Sequence, residues 1–319
     1  MLQKPKCSVI ALEEHYWDSE LAVYYQNIER NPEIVRRMSD FGELRIKEMD
    51  EAGIDVQVLS HGAPSMQNVK ADVAVEMGRR VNDRLAEICA QKPDRFAAFG
   101  ALPTADPVAA SDELARCVER LGFKGAMIHG TANGMFLDDK RFWPIFERAQ
   151  KLDVPIYLHP SIPLQAVMDA YYKDYVQTFP MVIRAAWGFT VETATQAIRM
   201  VLSGIFDKYP DLKIIIGHLG ETLPFLVWRI DQALSRPGGK ALSFRDVFCN
   251  HFYLTTSGNF SNPALLCCVQ EMGVDRIMFA VDWPFVANPL GTKWMETVPL
   301  CEEDKVKILS GNAKRLLRM

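Results

Sequence analysis

The 319-residue sequence has no apolar run approaching the roughly 20 residues that a membrane-spanning helix requires. It has no basic cluster longer than the pairs Arg36-Arg37 and Arg79-Arg80, and its formal net charge is −4. Nucleic-acid binding therefore lacks an electrostatic footprint. Residues 1–7 also lack the apolar core of a signal peptide. These absences predict a cytoplasmic protein without a membrane or nucleic-acid partner.

The cysteine spacing excludes another class of site. No two of the seven cysteines have the CxxC spacing of a zinc or redox site. Each stands alone except Cys267-Cys268, which lies within an apolar run. We expect reduced, buried thiols, because free cysteine behaves as a small apolar side chain.

Short apolar runs alternate with longer amphipathic segments along almost the whole chain, as in parallel α/β proteins. Eight runs read as strands: residues 8–13, 54–60, 96–102, 125–129, 155–159, 213–218, 252–257 and 276–281. Eight segments have helical apolar spacing: residues 43–52, 72–92, 107–121, 141–152, 192–208, 223–235, 263–272 and 302–317. This order favours a (β/α)8 TIM barrel over an open doubly wound sheet, with residues 1–319 forming a single domain.

Long connections after the fifth and sixth strands, residues 160–190 and 236–251, exceed plain turns and are typical of lids or binding elements. The first is rich in aromatic side chains, and Arg184 and Trp187 lie within it. We take these two residues as candidates for binding an aromatic acid. The alternative is that the aromatic side chains anchor the loop or form a subunit interface.

Polar residues follow or end four of the predicted strands. Glu13 and His15 close the first, His159 the fifth, His218 the sixth and Asp282 the eighth. In a (β/α)8 barrel these carboxyl ends converge on the catalytic mouth, whereas the interior is otherwise apolar. Taken alone, each histidine is better explained as an ordinary hydrogen-bonded residue, but their shared placement indicates a site.

The spacing of Glu13 and His15 predicts that both face the mouth, because residues i and i+2 of a strand point the same way. Glu14 then points elsewhere. With His159 and Asp282 they offer two imidazoles and two carboxylates, a donor set that suits one Zn²⁺, Mn²⁺ or Fe²⁺ ion. The sequence therefore predicts a metal centre.

The ordered motifs are specific in combination: Leu12-Glu13-Glu14-His15, Leu158-His159-Pro160, Gly217-His218-Leu219-Gly220-Glu221 and Val281-Asp282-Trp283-Pro284. Through them the chain resembles the amidohydrolase superfamily over nearly its full length. Within it, the chain is most similar to the branch that holds γ-resorcylate (2,6-dihydroxybenzoate) decarboxylase and aminocarboxymuconate-semialdehyde decarboxylase.

The resemblance implies one catalytic divalent ion, Zn²⁺ or Mn²⁺, held by Glu13, His15, His159 and Asp282, and no organic cofactor. It also implies that His218 and Glu221 form a catalytic pair beside Asp282, that Arg229 helps to hold the substrate, and that the protein is a homodimer or homotetramer. The spacing of three between His218 and Glu221 lets the carboxylate orient the imidazole. Glu221 has an alternative role as an acid in the first turn of a helix.

The chain departs from the resorcylate decarboxylases at two histidines. His61 follows the second strand and His129 ends the fourth. Both are candidates for a contact with a substrate group that those enzymes do not meet, and both are equally candidates for buried, hydrogen-bonded histidines. These two differences bear on which substrate is bound more than on which class of reaction is catalysed.

The predicted function is non-oxidative decarboxylation of a hydroxylated aromatic acid such as a dihydroxybenzoate, with Asp282 delivering a proton to the ring through His218. A metal-dependent hydrolase of esters, amides or lactones is the alternative, because metal-bound water would use nearly the same residues. A silent scaffold is a third reading. It is disfavoured because no ligand or relay residue is missing.

Overall fold

Nine short parallel strands form the centre of the structure, a computed structural model that describes residues 7–24, 31–238 and 240–319. The strands are β1 (Ile10–Tyr16), β2 (Val56–His61), β3 (Phe96–Ala98), β4 (Gly100–Ala101), β5 (Ala126–His129), β6 (Ile156–His159), β7 (Ile214–Ile216), β8 (Phe252–Thr255) and β9 (Ile277–Met278). The signal-peptide prediction concerned residues 1–7, of which residues 1–6 lie outside the described residues.

The strands follow one another in sequence order around a closed (β/α)8 barrel. β1, β2 and β3 pair in parallel, and β4 to β9 form a second parallel series. β3 and β4 together occupy the third barrel position, because Phe99 between them donates its N–H to the Leu59 carbonyl at 2.9 Å. The barrel closes where Asp282 N–H donates to the Glu13 carbonyl at 3.0 Å and His15 N–H donates to the Trp283 carbonyl at 2.7 Å.

Helices surround the barrel. They are α1 (Ser19–Ala22), α2 (Pro32–Met38), α3 (Glu43–Ala52), α4 (Ala71–Gln91), α5 (Pro107–Glu119), α6 (Trp143–Leu152), α7 (Gln165–Val167), α8 (Gly188–Ser203), α9 (Ile205–Lys208), α10 (Leu223–Leu234), α11 (Phe244–His251), α12 (Asn262–Met272), α13 (Asn288–Thr297), α14 (Glu302–Val306) and α15 (Asn312–Leu317). Side-chain caps begin several of them, as at α5, where the Asp106 side chain accepts from Ala109 N–H at 3.1 Å.

Some predicted boundaries were wrong. The predicted strand 213–218 ends at Ile216 and the predicted strand 276–281 ends at Met278. The helix predicted over 192–208 breaks at Gly204, whose φ is +80°. The end of the long connection 236–251 is helical, as α11. The connection after β6 contains α7, a π-helical turn at Met168–Tyr172 and a 3₁₀ turn at Pro180–Ile183.

A β-bulge in β1 separates the apolar interior from the mouth. Ile10 and Leu12 belong to the apolar cluster that fills the barrel, together with one or more residues from the other strand positions. The register with β2 then shifts between Ala11 and Glu14. A bulge changes which face a side chain meets. Glu13 and His15 therefore turn towards the mouth directly after Leu12.

The structure bears on two predictions from composition, the absence of a membrane-spanning helix and the burial of the thiols. In the described parts of the chain, no helix has the length and apolar character that crossing a membrane requires. The prediction that the thiols are buried is only partly right, because Cys117 and Cys268 are buried whereas Cys301 is exposed.

Candidate active site

Four side chains converge at the carboxyl ends of the strands. Glu13 and His15 come from β1, His159 from β6 and Asp282 from the segment after β9, and one donor atom of each lies within 4.8 Å of the others. Glu13 Oε1 is 3.3 Å from His159 Nε2 and 4.0 Å from His15 Nε2. His15 Nε2 is 3.3 Å from Asp282 Oδ1.

This arrangement fits a divalent cation. Glu13 Oε1 and His15 Nε2 are buried and have no hydrogen-bond partner among the described residues. Such atoms normally require a partner. Donors bound to one ion at about 2.0–2.2 Å lie about 3 to 4 Å apart, in agreement with the observed separations. The mixed nitrogen and oxygen set is one that Mn²⁺ and Zn²⁺ accept.

Hydrogen bonds orient the second atom of each of the three donors Glu13, His15 and His159. Glu13 Oε2 accepts from the Tyr157 hydroxyl and, at 2.6 Å, from the Ser257 hydroxyl. His15 Nδ1 lies 3.2 Å from Ser60 Oγ. His159 Nδ1 lies 2.8 Å from the Pro160 carbonyl oxygen. Fixing these atoms leaves Glu13 Oε1 and the two Nε2 atoms directed at the shared centre.

His218 and Glu221 form the predicted pair. His218 Nδ1 lies 2.7 Å from Glu221 Oε1, and Glu221 Oε2 accepts from the Thr190 hydroxyl at 2.7 Å. His218 Nε2 then faces Glu13 Oε1 at 3.5 Å and Asp282 Oδ2 at 3.9 Å. Thr190, in the first turn of α8, thus fixes the carboxylate that orients His218.

Left-handed backbone conformations shape the loop that carries this pair. His218, Glu221 and Asp282 have φ values of +52°, +51° and +71°. Residues other than glycine adopt this region at an energetic cost and do so mainly at functional sites. His218 N–H donates to Ser257 Oγ at 3.0 Å, which stabilises the turn. The left-handed conformation of His218 explains why β7 ends before residue 218, earlier than predicted.

The ionisable groups perturb one another strongly. Burial alone would raise the pKa of Glu13, but the imidazoles of His218, His159 and His15 lower it well below its usual range. For Asp282, burial is likewise opposed by the neighbouring imidazoles of His15 and His218, and its pKa is lowered. Burial opposes a charge on His218, yet Glu221 and Glu13 raise its pKa well above that of a free histidine. Two carboxylates and an imidazolium therefore coexist.

His61 and His129, the two histidines at which the chain differs from the resorcylate decarboxylases, both lie among hydrogen-bonding groups. His61 Nε2 accepts from Asp18 N–H at 3.0 Å, and its Nδ1 lies 2.9 Å from the Gly62 carbonyl oxygen. Both ring nitrogens thus face backbone groups. His129 lies beside His159, with their Nδ1 atoms 2.9 Å apart. Burial first, then the neighbouring imidazoles, lower the pKa of His129 well below its usual value.

The other predicted substrate-binding residues lie outside this cluster. Arg184 is half-buried and Trp187 is 50% exposed, both in the connection after β6. Arg229 is exposed on α10. Among the described residues, neither arginine has an ion pair with a carboxylate within 4.0 Å. Their side chains are therefore available to a ligand or to a neighbouring molecule.

Sequence reasoning missed several residues that shape the site: Tyr157, Thr190, Thr255, Ser257 and Phe285. A signal for the strand residues was present, because Tyr157 precedes His159 by two positions, as Glu13 precedes His15. The Tyr157 hydroxyl also contacts Thr255 Oγ1, which lies 3.0 Å from Ser257 Oγ. Phe285 is 54% exposed, with its ring 5.9 Å from that of His15. Only the fold reveals that contact.

Comparisons with known proteins identify the family of the chain. The amidohydrolase family profile matches residues 13–319. The chain is 42% identical to the γ-resorcylate decarboxylase of Polaromonas sp. strain JS666, over 97% of this chain and 98% of that protein.

Two solved structures have nearly the same fold. One is a 2,6-dihydroxybenzoate decarboxylase complexed with 2,6-dihydroxybenzoate, with a TM-score of 0.90 and 39% identity over 98% of this chain and 100% of that chain. The other is a dihydroxybenzoic acid decarboxylase from Polaromonas sp. JS666 with bound manganese and the inhibitor 2-nitroresorcinol. It has a TM-score of 0.89 and 40% identity over 98% of this chain and 97% of that chain.

Proposed function

This chain belongs to the amidohydrolase family, and from that premise we propose that it is a metal-dependent, non-oxidative decarboxylase of hydroxylated aromatic acids such as a dihydroxybenzoate. The position of Asp282 carries the proposal. Its Oδ1 faces His15 Nε2 at 3.3 Å and its Oδ2 faces His218 Nε2 at 3.9 Å. One carboxylate thus adjoins both the cation donors and an imidazole able to exchange a proton. The activities named for the relatives support the same reaction.

Glu13, His15, His159 and Asp282 would hold the cation. When bound, it would supply positive charge for the substrate's oxygen atoms and offset the charge of the two carboxylates. We propose Mn²⁺, supported by the manganese in the related Polaromonas structure. Zn²⁺ suits the same donors, and metal analysis of the purified protein with reconstitution by each ion distinguishes them.

The chain's own residues account for the proton. His218 is held by Glu221 and has a raised pKa, so it carries the proton. It passes this proton to Asp282, which gives it to the ring carbon bearing the carboxylate. The carbon–carbon bond then breaks, its electron pair returns to the ring, and carbon dioxide leaves. Because the pKa of His218 is raised and that of Asp282 is lowered, the proton rests on His218 and occupies Asp282 only during the transfer. The reaction is not an oxidation, so it needs no oxidant.

We propose that the substrate ring lies against Phe285, which extends from the mouth beside His15. Trp187 would cover it from the connection after β6, and Arg184 would attract the carboxylate. The half-buried guanidinium of Arg184 and the exposed ring of Trp187 support this assignment. Aromatic rings and a guanidinium are groups that would bind a flat anion.

The experiment that tests the function incubates the Mn²⁺-loaded protein with a panel of mono- and dihydroxybenzoates and measures released carbon dioxide. Esters and lactones are assayed in parallel. Decarboxylation of an ortho-hydroxylated acid is the expected result, and hydrolysis without decarboxylation would establish the alternative. Asp282→Asn should lower turnover by about 10² to 10⁴ while the protein remains folded. Asp275→Asn, on an exposed surface carboxylate, is the matched control.

We also propose a homo-oligomer, either a dimer or a tetramer. α10 presents Phe225 at 80% and Trp228 at 66% exposure, next to Arg229. Aromatic residues and arginine are the types enriched at protein interfaces. Packing this face against a second copy would remove it from water and give Arg229 a partner. Light scattering of wild type and Trp228→Glu, with a lower mass expected for the variant, tests the assembly.

A cytoplasmic location is likewise our proposal. Among the described residues, these thiols form no disulfide: Cys89, Cys117, Cys249, Cys267, Cys268 and Cys301. Reduced thiols are typical of the cytosol, whereas oxidising compartments favour disulfides. Cell fractionation with antibody detection would check the location.

A further inference from the structure

Two histidines meet where neighbouring strands end. His129 ends β5 and His159 ends β6, and the two are partners in the parallel register. Their Nδ1 atoms are 2.9 Å apart, and their ring planes meet at 62°. Nitrogens at this distance form a hydrogen bond only when one carries a proton and the other presents a lone pair. One proton therefore lies between them.

The surroundings of His159 assign that proton. Its Nε2 faces Glu13 Oε1 at 3.3 Å within the candidate metal centre, so its Nε2 lone pair is needed for a cation. A neutral imidazole then carries its hydrogen on Nδ1. The Pro160 carbonyl oxygen, 2.8 Å from the same Nδ1, is a second acceptor for this hydrogen. His129 Nδ1 must therefore be the acceptor in the histidine pair.

We propose that His129 is a positioning residue, which accepts the Nδ1–H of His159 and so fixes the tautomer and ring orientation that a metal ion requires. This inference rests on the proposed metal centre, and it replaces the substrate contact predicted for His129. His129 acts through His159 and touches no reacting atom.

The backbone holds the pair rigidly. His129 N–H donates to the side-chain oxygen of Gln67 at 3.1 Å. Gly130 N–H donates to the His159 carbonyl at 2.8 Å. The His129 side chain is 1% exposed. Two adjacent strands thus fix the nitrogen–nitrogen contact, and burial removes the competition from water that would weaken it.

Metal affinity of three variants tests the role. His129→Leu removes the acceptor, and we expect Mn²⁺ affinity to fall about 10- to 100-fold in a chelator competition assay. His129→Asn places a side-chain oxygen near the position of Nδ1, so most of the affinity should return. His251→Asn is the matched control, because His251 Nδ1 faces the Leu212 carbonyl oxygen away from the site, and its affinity should equal wild type.

The kinetic readout separates positioning from packing. We expect His129→Leu to lower kcat at saturating Mn²⁺ while the KM for the aromatic acid stays within about threefold, because the residue does not touch substrate. If the leucine and asparagine variants bind Mn²⁺ equally weakly, or if neither differs from wild type, the positioning role is overturned.

A measurement on the wild-type protein remains decisive if His129→Leu fails to fold. The sequence contains six histidines, so ¹⁵N-histidine labelling of the Zn²⁺-loaded protein gives an interpretable NMR spectrum of the ring nitrogens. We expect His159 to carry its hydrogen on Nδ1 and His129 on Nε2. A hydrogen on Nδ1 of His129 contradicts the proposal. Wild-type protein that binds no metal overturns the metal centre itself, whereas metal binding with the wrong tautomer overturns only the role of His129.

Discussion

Gly217 leaves no room for a side chain beside Glu13. A Cβ atom at this position would lie 2.6 Å from Glu13 Oε2, 2.9 Å from Ser257 Oγ and 3.2 Å from the Tyr157 hydroxyl. Those side chains hold one another by hydrogen bonds, so the added methyl group must displace the carboxylate.

We predict that Gly217→Ala weakens Mn²⁺ binding about tenfold or more and destabilises the protein by about 1 to 3 kcal/mol. Chelator competition and urea unfolding measure the two effects. Gly78→Ala in α4 is the control, because the nearest atom to its new Cβ lies at 3.5 Å, an ordinary contact. Equal Mn²⁺ affinity in Gly217→Ala and wild type would show that Glu13 has space to move.

His61 gives a pH-dependent prediction. Burial lowers the pKa of His61 to about 4. Between the unfolded value of about 6.5 and this value, the unfolded chain binds a proton that the folded protein does not, so stability falls as pH falls. The contribution is about 1.4 kcal/mol per pH unit and is lost progressively over that window.

His61→Gln removes this titration. We expect the variant to be less stable than wild type at neutral pH, because hydrogen bonds to Asp18 and Gly62 are altered. The difference in free energy of unfolding between the two proteins should shrink by about 2 kcal/mol near pH 5, because only wild type loses stability through His61. Urea unfolding in EDTA at both pH values checks this, since EDTA removes the pH dependence of metal binding. Parallel stability profiles would contradict the lowered pKa.

Among the elements, α8 contacts the loop after β5 through the buried side-chain amide of Gln196. Gln196 donates to the Gly130 carbonyl at 2.8 Å and accepts from Leu137 N–H at 3.0 Å. Both partners lie in the loop that follows β5 and His129. The side chain therefore satisfies one acceptor and one donor that have no strand partner.

Gln196→Leu keeps the volume but leaves both backbone groups unsatisfied. We predict a loss of about 2 to 4 kcal/mol in the free energy of unfolding, because each buried unpaired group costs about 1 to 3 kcal/mol. Thermal and urea unfolding measure it. The control Gln165→Leu changes an exposed glutamine on α7 and should alter stability by less than about 0.5 kcal/mol. A similar small effect at Gln196 would mean that water replaces the amide.

Periodicity predicted the elements whose apolar faces repeat regularly. α3 has its predicted bounds, residues 43–52, because one helical stripe packs on the barrel. α13 escaped prediction because it is held by particular contacts, such as the Trp294 indole N–H donating to Asn262 Oδ1 at 2.7 Å. α11 had a signal in phenylalanines four residues apart, Phe244 and Phe248, whose rings stack.

The metal-donor residues of the site could be predicted from the sequence, whereas the residues that orient or adjoin them largely could not. Polar residues at strand ends stand out against an apolar barrel interior, and this contrast identified Glu13, His15, His159 and Asp282. The bulge in β1 was not predictable, because an extra residue changes side-chain direction without a composition signal. Phe285 and Thr190 come from segments whose approach to the mouth depends on the closed fold.

For the whole molecule, the candidate centre places two carboxylates in a buried space. Removing the cation leaves Glu13 and Asp282 facing each other, and like charges at close range are unfavourable. Binding to the folded state alone stabilises it in proportion to the logarithm of ion concentration.

We predict that Mn²⁺ at about one hundred times its Kd stabilises the protein by about 2.7 kcal/mol, which raises Tm by about 4 °C relative to EDTA-treated protein. Scanning calorimetry measures the rise. Glu13→Gln, which removes one charge and weakens a donor, should reduce the increment. An identical Tm with and without Mn²⁺ would argue against an ion that binds only the folded state.

The seam between β1 and the segment after β9 also sets a condition on biosynthesis. Asp282 N–H bonds to the Glu13 carbonyl and His15 N–H to the Trp283 carbonyl, so two donors of β1 meet a third that follows them by more than 260 residues. A growing polypeptide on the ribosome cannot assemble this set until the last strand has emerged. Uptake of a metal ion by all four donors thus requires synthesis past residue 282, and fragments that end before it carry at most three of the four donors.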